Sequence, residues 1–171
     1  MKNTHLIALS VGAVVLLVIA FVAFQGNGSP AQNDLVRLAR IELTDYQGAA
    51  VSLEKFEGKP LVVNSWAAWC PFCKQELPDF ATLQNEFPDI VVIAIDRQES
   101  LEVAKGYTDG IGISSDLVFL LDTGDEFYKN IGGFSMPETV FLNENGEIVF
   151  HKRGPMTLDE MRSAVREHLK Q

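Results

Sequence analysis

The sequence predicts an α/β fold that consists of a β-α-β unit followed by a β-β-α unit. Apolar runs at residues 61–65 and 90–95 enclose an amphipathic stretch of helical length, and such a succession forms a right-handed crossover between parallel strands. Residues 138–142 and 147–150 are short apolar segments joined by an Asn-Gly turn, which indicates an antiparallel hairpin. Residues 157–160 form a capping box that opens a C-terminal helix. A central mixed sheet flanked by helices follows from these elements.

The remaining elements are shorter. Residues 40–44 alternate polar and apolar side chains as a half-buried strand does, and residues 51–53 give a second short strand. We therefore predict an N-terminal β-hairpin ahead of the β-α-β unit. Between the two units, the pattern predicts helices at 100–107 and 125–131 and a strand at 116–122.

Residues 6–24 form an apolar block without a charged side chain, long enough to cross a bilayer as a helix. Lys2 precedes the block and the next basic residue is Arg37, so residues 1–5 are expected in the cytoplasm and the rest of the chain outside it. We predict a transmembrane signal-anchor. The protein would then be a single-pass protein of the cell membrane, with its domain in the bacterial periplasm or on the outer surface.

The composition changes after the apolar block. Residues 25–35 are rich in Gly, Asn, Ser, Pro and Gln, which predicts a flexible linker to a domain at 36–171. Residues 29–31 read Ser-Pro-Ala, a mediocre cleavage site, so a cleaved signal peptide is the alternative to the anchor.

The charge balance narrows the choice of partners. The chain has 14 Lys and Arg residues and 23 Asp and Glu residues, for a net charge of −9 at pH 7. Such a chain lacks the basic face that nucleic-acid binding needs. Two cysteines are too few for a disulfide scaffold, and 171 residues are enough to bury a core without one. We expect a monomer.

The two cysteines of the chain, Cys70 and Cys73, lie where the strand at 61–65 turns into the following helix. The spacing allows a disulfide within one helical turn, and the positive end of the helix stabilises a thiolate at Cys70. We predict that Cys70 is the exposed nucleophile and that Cys73 is shielded and reacts second. The pair then works by thiol–disulfide exchange through a mixed disulfide.

Metal binding and a purely structural role for the two cysteines have less support. Zinc needs four ligands, and the three histidines (His5, His151 and His168) are not spaced as a partner pair, so we predict no metal and no cofactor. A purely structural disulfide would add little chain-entropy stabilisation, because the loop that it closes is so short.

Three motifs carry a resemblance to a known family. The first comprises residues 51–53 and 56–59, and the second comprises residues 63–73 with Glu76 and Pro78. The third comprises residues 135–142 with Gly146, Ile148 and Gly154. On these residues, the chain from about residue 40 to the C-terminus resembles the thioredoxin fold and, more narrowly, the membrane-anchored TlpA/ResA/DsbE group of thiol–disulfide oxidoreductases.

The resemblance implies further site residues. Met136-Pro137 would be a cis peptide bond that faces the cysteines, with the backbone of Met136 offered to an extended substrate; a trans proline that starts a strand is the alternative. Glu76 would lie near the disulfide, where burial raises the pKa of its carboxyl and lets it exchange a proton with Cys73. An exposed helix glutamate is the alternative there. Asn64 stands where thioredoxin has a buried aspartate.

The residues around the cysteines predict how a substrate docks. Trp69 covers the rim of the site, and Pro71 and Phe72 between the cysteines make that rim partly apolar. Trp66 is expected in the core below. The Pro-Phe pair differs from the Gly-Pro of thioredoxin and the Glu-Pro of ResA-like proteins, and it lacks the histidine of strongly oxidising members. We predict an intermediate to reducing potential.

The function predicted is that of an extracytoplasmic protein-disulfide reductase. The resemblance implies substrates such as apocytochrome c, within cytochrome c maturation, and a membrane electron donor of the DsbD/CcdA type. A thiol peroxidase is a second candidate, although Val63 and Ala67 occupy the positions where it would have Pro and Thr or Ser. A copper or haem-delivery module that uses the cysteines as ligands also fits the sequence, as does an oxidase of folding proteins.

Overall fold

The computed structural model of the protein describes residues 34–170. The predicted cytoplasmic residues 1–5, the predicted anchor 6–24 and all but the end of the predicted linker 25–35 lie outside the described residues. Within residues 34–170, no helix is both long enough and apolar enough to cross a membrane.

The described chain contains five α-helices and seven strands. In chain order they are α1 (Asp34–Leu38), β1 (Leu43–Asp45), β2 (Ala50–Val51), β3 (Leu61–Trp66), α2 (Pro71–Glu86), β4 (Val91–Arg97), α3 (Leu101–Gly110), β5 (Val118–Asp122), α4 (Glu126–Asn130), β6 (Glu138–Leu142), β7 (Ile148–Arg153) and α5 (Leu158–Ala164), which continues as a π-helical turn over Val165–Leu169.

The strands form one seven-stranded mixed sheet in the order β2-β1-β5-β4-β3-β6-β7. Strand β3 pairs with β4 in parallel and with β6 antiparallel, and β6 pairs with β7 as a hairpin. This arrangement confirms the predicted β-α-β and β-β-α units. All six residues of β3 are buried, which places the strand that leads into the cysteines at the centre of the core.

The N-terminal part differs in detail from the prediction. The hairpin is present, but β1 begins at Leu43, and the segment Leu53–Phe56 forms a turn of 3-10 helix instead of a strand. Ser52 caps that turn, because its side chain accepts a hydrogen bond from the N–H of Glu54.

Helix α1 starts within the last two residues of the predicted linker. Leu35 and Leu38 of α1 are buried in the core cluster, and the Asp34 carboxylate accepts the N–H of Ile148 at 3.0 Å. The polar composition of 25–35 conceals this boundary, because Leu35 is the only large apolar residue of that stretch to enter the core.

Arg97 and Asp125 form an ion pair where β4 ends and α4 begins. The guanidinium donates to both carboxylate oxygens, at 2.6 and 2.7 Å, and lies 3.4 Å from the centroid of the Tyr128 ring. The two side chains are 15% and 9% exposed, so solvent screens the pair only in part. We expect Arg97→Ala to lower the free energy of unfolding by about 3 kcal/mol, because the Asp125 carboxylate loses its counter-charge.

Urea unfolding measures this effect. The matched control is Lys105→Ala, which breaks the exposed Lys105–Asp109 pair and should leave the transition midpoint unchanged. If the midpoint of urea unfolding shifts only slightly, and equally, in both variants, the Arg97–Asp125 pair adds no more stability than the exposed pair does.

Candidate active site

The two cysteines form a disulfide at the start of α2. Cys70 is the N-cap residue, with an extended backbone, and its Sγ accepts the N–H of Cys73 at 3.2 Å. Pro71 occupies the first helical position, where a missing N–H costs no hydrogen bond. The same N–H group and the positive end of a 16-residue helix lie beside a Cys70 thiolate when the bond is reduced, and both favour the ionised form.

In the disulfide form, Cys70 is not the exposed sulfur that the sequence predicts. Cys70 is 2% exposed and Cys73 is fully buried. Both belong to the apolar cluster that also contains Ala67 and Leu77, and Met136 packs against this cluster. The pattern of one cysteine at a helix start does not reveal how much of its sulfur the neighbouring apolar groups cover.

Of the three aromatic residues around the two cysteines, two are exposed and one is buried, as predicted. Trp69 is 61% exposed and Phe72 is 53% exposed, so both present apolar surface beside the disulfide. Trp66 is fully buried, and its ring lies edge-on to Phe119 at a centroid distance of 6.2 Å. Trp66 is therefore part of the core, whereas the other two rings are free to contact a substrate.

The Met136-Pro137 peptide bond is cis, as the resemblance implies. The carbonyl of Pro137 accepts the N–H of Gly154 at 2.9 Å, which ties this segment to the end of β7. Because Met136 packs against the cysteine cluster, the structure brings the two predicted halves of the site together.

Glu76 is buried, not a solvated helix glutamate. It is 2% exposed, its Oε1 accepts the side-chain N–H of Asn64 at 2.9 Å, and its Oε2 accepts the N–H of Met156 at 3.0 Å. Burial raises the pKa of the Glu76 carboxyl to about 7, although the two hydrogen bonds lower it. One turn along the helix from Cys73, this carboxyl can therefore bind or release a proton near neutral pH.

The Asn64 side chain can form a hydrogen bond with either the ionised or the protonated carboxyl of Glu76. Its amide nitrogen donates to Glu76 and also to the Thr139 hydroxyl at 3.0 Å, while its buried Oδ1 has no partner within the described residues. If the amide turns over, Oδ1 faces Glu76 and accepts a hydrogen bond from the protonated carboxyl. An aspartate at this position would repel the ionised form of Glu76.

The sequence reasoning missed a pair of acidic residues, Asp96 and Glu99, next to β3. Asp96 lies at the end of β4, in register with Trp66, and its Oδ1 accepts the N–H of Glu99 at 3.1 Å. Glu99 in turn accepts the N–H of Ala68, in the loop before Cys70, at 2.6 Å. Burial, together with the Glu99 carboxyl, raises the pKa of Asp96 to about 8. The available signal was an acidic residue at the carboxyl end of the strand next to β3.

Within residues 34–170, no group of three or more His, Cys, Asp or Glu side chains is arranged to hold a metal ion.

The fold and the site together define a thioredoxin-like protein with a cysteine pair at disulfide distance, an apolar rim and a buried acid one turn from the second cysteine. A family model described as Redoxin matches residues 26–169, and the chain belongs to this family. Within it, the chain is an oxidoreductase of the group that includes the ResA-like thiol–disulfide oxidoreductases.

Three similar proteins illustrate the relationship. The thiol–disulfide oxidoreductase ResA of Halalkalibacterium halodurans is 32% identical over 117 residues, which are 67% of this chain and 65% of that protein. The ResA of Bacillus cereus is 22% identical over 170 residues, or 97% of each chain. The structure of the exposed lipoprotein thioredoxin of Streptococcus pneumoniae superposes with a TM-score of 0.66 at 26% identity, covering 74% of this chain and 98% of that one.

Proposed function

We propose that the protein reduces disulfides of other proteins outside the cytoplasm, by dithiol–disulfide exchange at Cys70 and Cys73. The observation that carries this proposal is the disulfide at the N-terminus of α2, with the Sγ of Cys70 facing the N–H of Cys73. This position stabilises Cys70 as a thiolate, which is the form that attacks a disulfide.

The reaction proceeds in two exchanges. The Cys70 thiolate attacks one sulfur of the substrate disulfide, that bond breaks, and the other substrate sulfur leaves as a thiolate and takes up a proton. Cys73 then loses its proton and attacks the Sγ of Cys70, which releases the second substrate thiol. The substrate has gained two electrons and two protons, and the protein is left with the Cys70–Cys73 disulfide. A dithiol protein donor must then return both electrons and both protons.

Glu76 is assigned the proton transfer of the second exchange. Cys73 is buried, so solvent is a poor acceptor for its proton. A carboxylate whose pKa is raised to about 7 accepts a proton from a thiol more readily than an ordinary glutamate does. This role needs an acid that is shielded from solvent, and the Glu76 side chain, at 2% exposure, meets that need.

The proposed setting is extracytoplasmic, with residues 6–24 as the membrane anchor and 1–5 inside the cell. The uncharged apolar block supports the anchor, and the exposed lipoprotein thioredoxin of S. pneumoniae is a similar protein outside the cytoplasm. Apocytochrome c is the substrate that the family suggests, and a DsbD/CcdA-type protein is the donor. Immunoblotting of membrane and soluble fractions tests the anchor, because a shortened soluble form would rule it out.

Insulin reduction tests the activity. With dithiothreitol as electron donor, the protein should accelerate the reduction of insulin disulfides well above the rate for dithiothreitol alone, and its potential should be intermediate to reducing. Binding of Cu(I) by the cysteines without insulin reduction would favour the delivery module instead. Rapid turnover of hydrogen peroxide would favour a peroxidase.

A further inference from the structure

Another buried carboxylate, Glu138, lies directly after the cis-proline. Glu138 is fully buried at the start of β6, and its Oε1 accepts the N–H groups of Phe134 and Ser135 at 2.7 and 2.8 Å. Its Oε2 lies 2.6 Å from Nε2 of His151 and 3.9 Å from Nε of Arg153, both on β7. One carboxylate therefore ties the segment before Met136 to the neighbouring strand.

His151 is not the surface residue that its place on the last strand suggests. Its side chain is 16% exposed, because β7 pairs with β6 and brings the ring against Glu138. A buried carboxylate without partners is costly, and removing one partner of a buried pair is more costly still. This arrangement is better suited to fixing the shape of a loop than to raising stability.

Further contacts hold the same loop, residues 134–137. The Tyr128 hydroxyl donates to the carbonyl of Ser135 at 2.7 Å, and a Cβ on Gly133 would lie 2.5 Å from the Tyr128 ring, so only glycine fits there. The loop nevertheless presents Phe134 with 78% exposure, its ring 5.0 Å from the Arg153 guanidinium. A large apolar ring held in solvent on a fixed loop can contact a partner without the entropic cost of ordering that loop.

We propose that Glu138 is a positioning residue that fixes the loop 134–137, and that Phe134 is a specificity residue that contacts an apolar side chain of an extended substrate near its reactive cysteine. The proposal rests on the proposed function, since it concerns the substrate of the same cysteines. It adds a third exposed ring to Trp69 and Phe72, on the loop that contains Met136. The preferred substrate is thus an unfolded polypeptide segment with an aromatic or large aliphatic residue beside its cysteine.

Two synthetic peptides distinguish the substrate preference of the site from the reactivity of its cysteines. Each carries one cysteine in a mixed disulfide with thionitrobenzoate, and the peptides differ only in a Phe or a Ser two residues from that cysteine. The reduced full-length protein releases the coloured thiolate, which gives kcat/KM for both. We expect the wild type to prefer the Phe peptide, and we expect Phe134→Ala, at an exposed position that leaves the core intact, to reduce this preference about tenfold.

Glu138 is tested with a conservative pair. Glu138→Ala should reduce the preference for the Phe peptide in the same way as Phe134→Ala and shift the amide NMR signals of residues 134 and 135. Glu138→Gln keeps an oxygen for those two N–H groups and should restore most of the preference. The control for general destabilisation is Gln84→Ala, which removes hydrogen bonds to Ile90 and Val92 at the other end of the sheet and should leave the preference unchanged.

Each result bears on the inference. An unchanged Phe-to-Ser ratio in Phe134→Ala would overturn the specificity role. Equal losses on both peptides in Glu138→Ala, without rescue by glutamine, would overturn the positioning role and leave a purely structural one. If neither peptide reacts with the wild-type cysteines, the proposed function itself fails, which is a different outcome from a lost preference.

Discussion

Replacing Cys70 with serine is expected to lower the rate of insulin-disulfide reduction by at least about a thousandfold, because a serine hydroxyl is not ionised at neutral pH and cannot form a mixed disulfide. Under the proposed function, Cys70 at the N-cap of α2 is the attacking thiolate, so its replacement removes the group that starts the exchange. Insulin turbidity assays measure the loss. Mass spectrometry of the reaction mixture should show no covalent adduct.

Cys73→Ser is the matched variant. It retains the Cys70 nucleophile but removes the buried sulfur that resolves the intermediate, so a protein–substrate mixed disulfide should accumulate. Adduct formation at Cys73 in the Cys70→Ser variant, at a rate near that of the wild type, would reverse the two roles.

Glu76→Gln should slow the second exchange by about a hundredfold, because general acid–base catalysis contributes that much when the group is well placed. In the wild type, the rate should rise as the pH passes about 7, where the Glu76 carboxyl with its raised pKa ionises and becomes able to accept the Cys73 proton. This rise should be absent in the glutamine variant. Single-turnover kinetics across pH measure it, and an unchanged profile would refute the role.

Glu76→Gln should also change how the free energy of unfolding depends on pH. Since the native pKa of Glu76 is raised from 4.5 to about 7, the native state binds more protons than the unfolded state between these values. The free energy of unfolding must fall across this window as the pH rises, by up to about 3 kcal/mol. Glu76→Gln should abolish this contribution to the slope. Glu86, on the same helix, has the opposite effect. The Arg162 guanidinium holds the pKa of the Glu86 carboxyl below its usual value, so this group makes the free energy of unfolding rise with pH.

Much of the fold could be predicted because its signals are local. The continuous apolar runs of β3 and β4, the Asn-Gly turn before β7 and the capping box at Thr157 each specify their element from neighbouring residues. The cysteine pair was predictable for the same reason, since its meaning depends on the adjacent strand and helix. Glu76 required the family resemblance, because its burial depends on Asn64 and Met156, which are far away in the chain.

The parts that were missed depend on pairings between distant segments. The role of Glu138 exists only because β7 brings His151 alongside it, and the link from Glu99 to Ala68 exists only because β4 lies next to β3. Isolated carboxylates and a single histidine on a strand carry no local pattern that distinguishes them from surface residues. The burial of Cys70 is of the same kind, because the cluster that covers it includes Met136, which is distant in the chain.

The outer strands of the sheet have a consequence for the association of this domain with other chains. On one side the sheet ends with β2, which is two residues long, and on the other with β7, which carries the cationic side chains of Lys152 and Arg153. Very short margins and positive charge both discourage the addition of a foreign strand. Both margins therefore resist association through added strands, and under the proposed function a substrate segment would pair with the backbone beside Met136 instead.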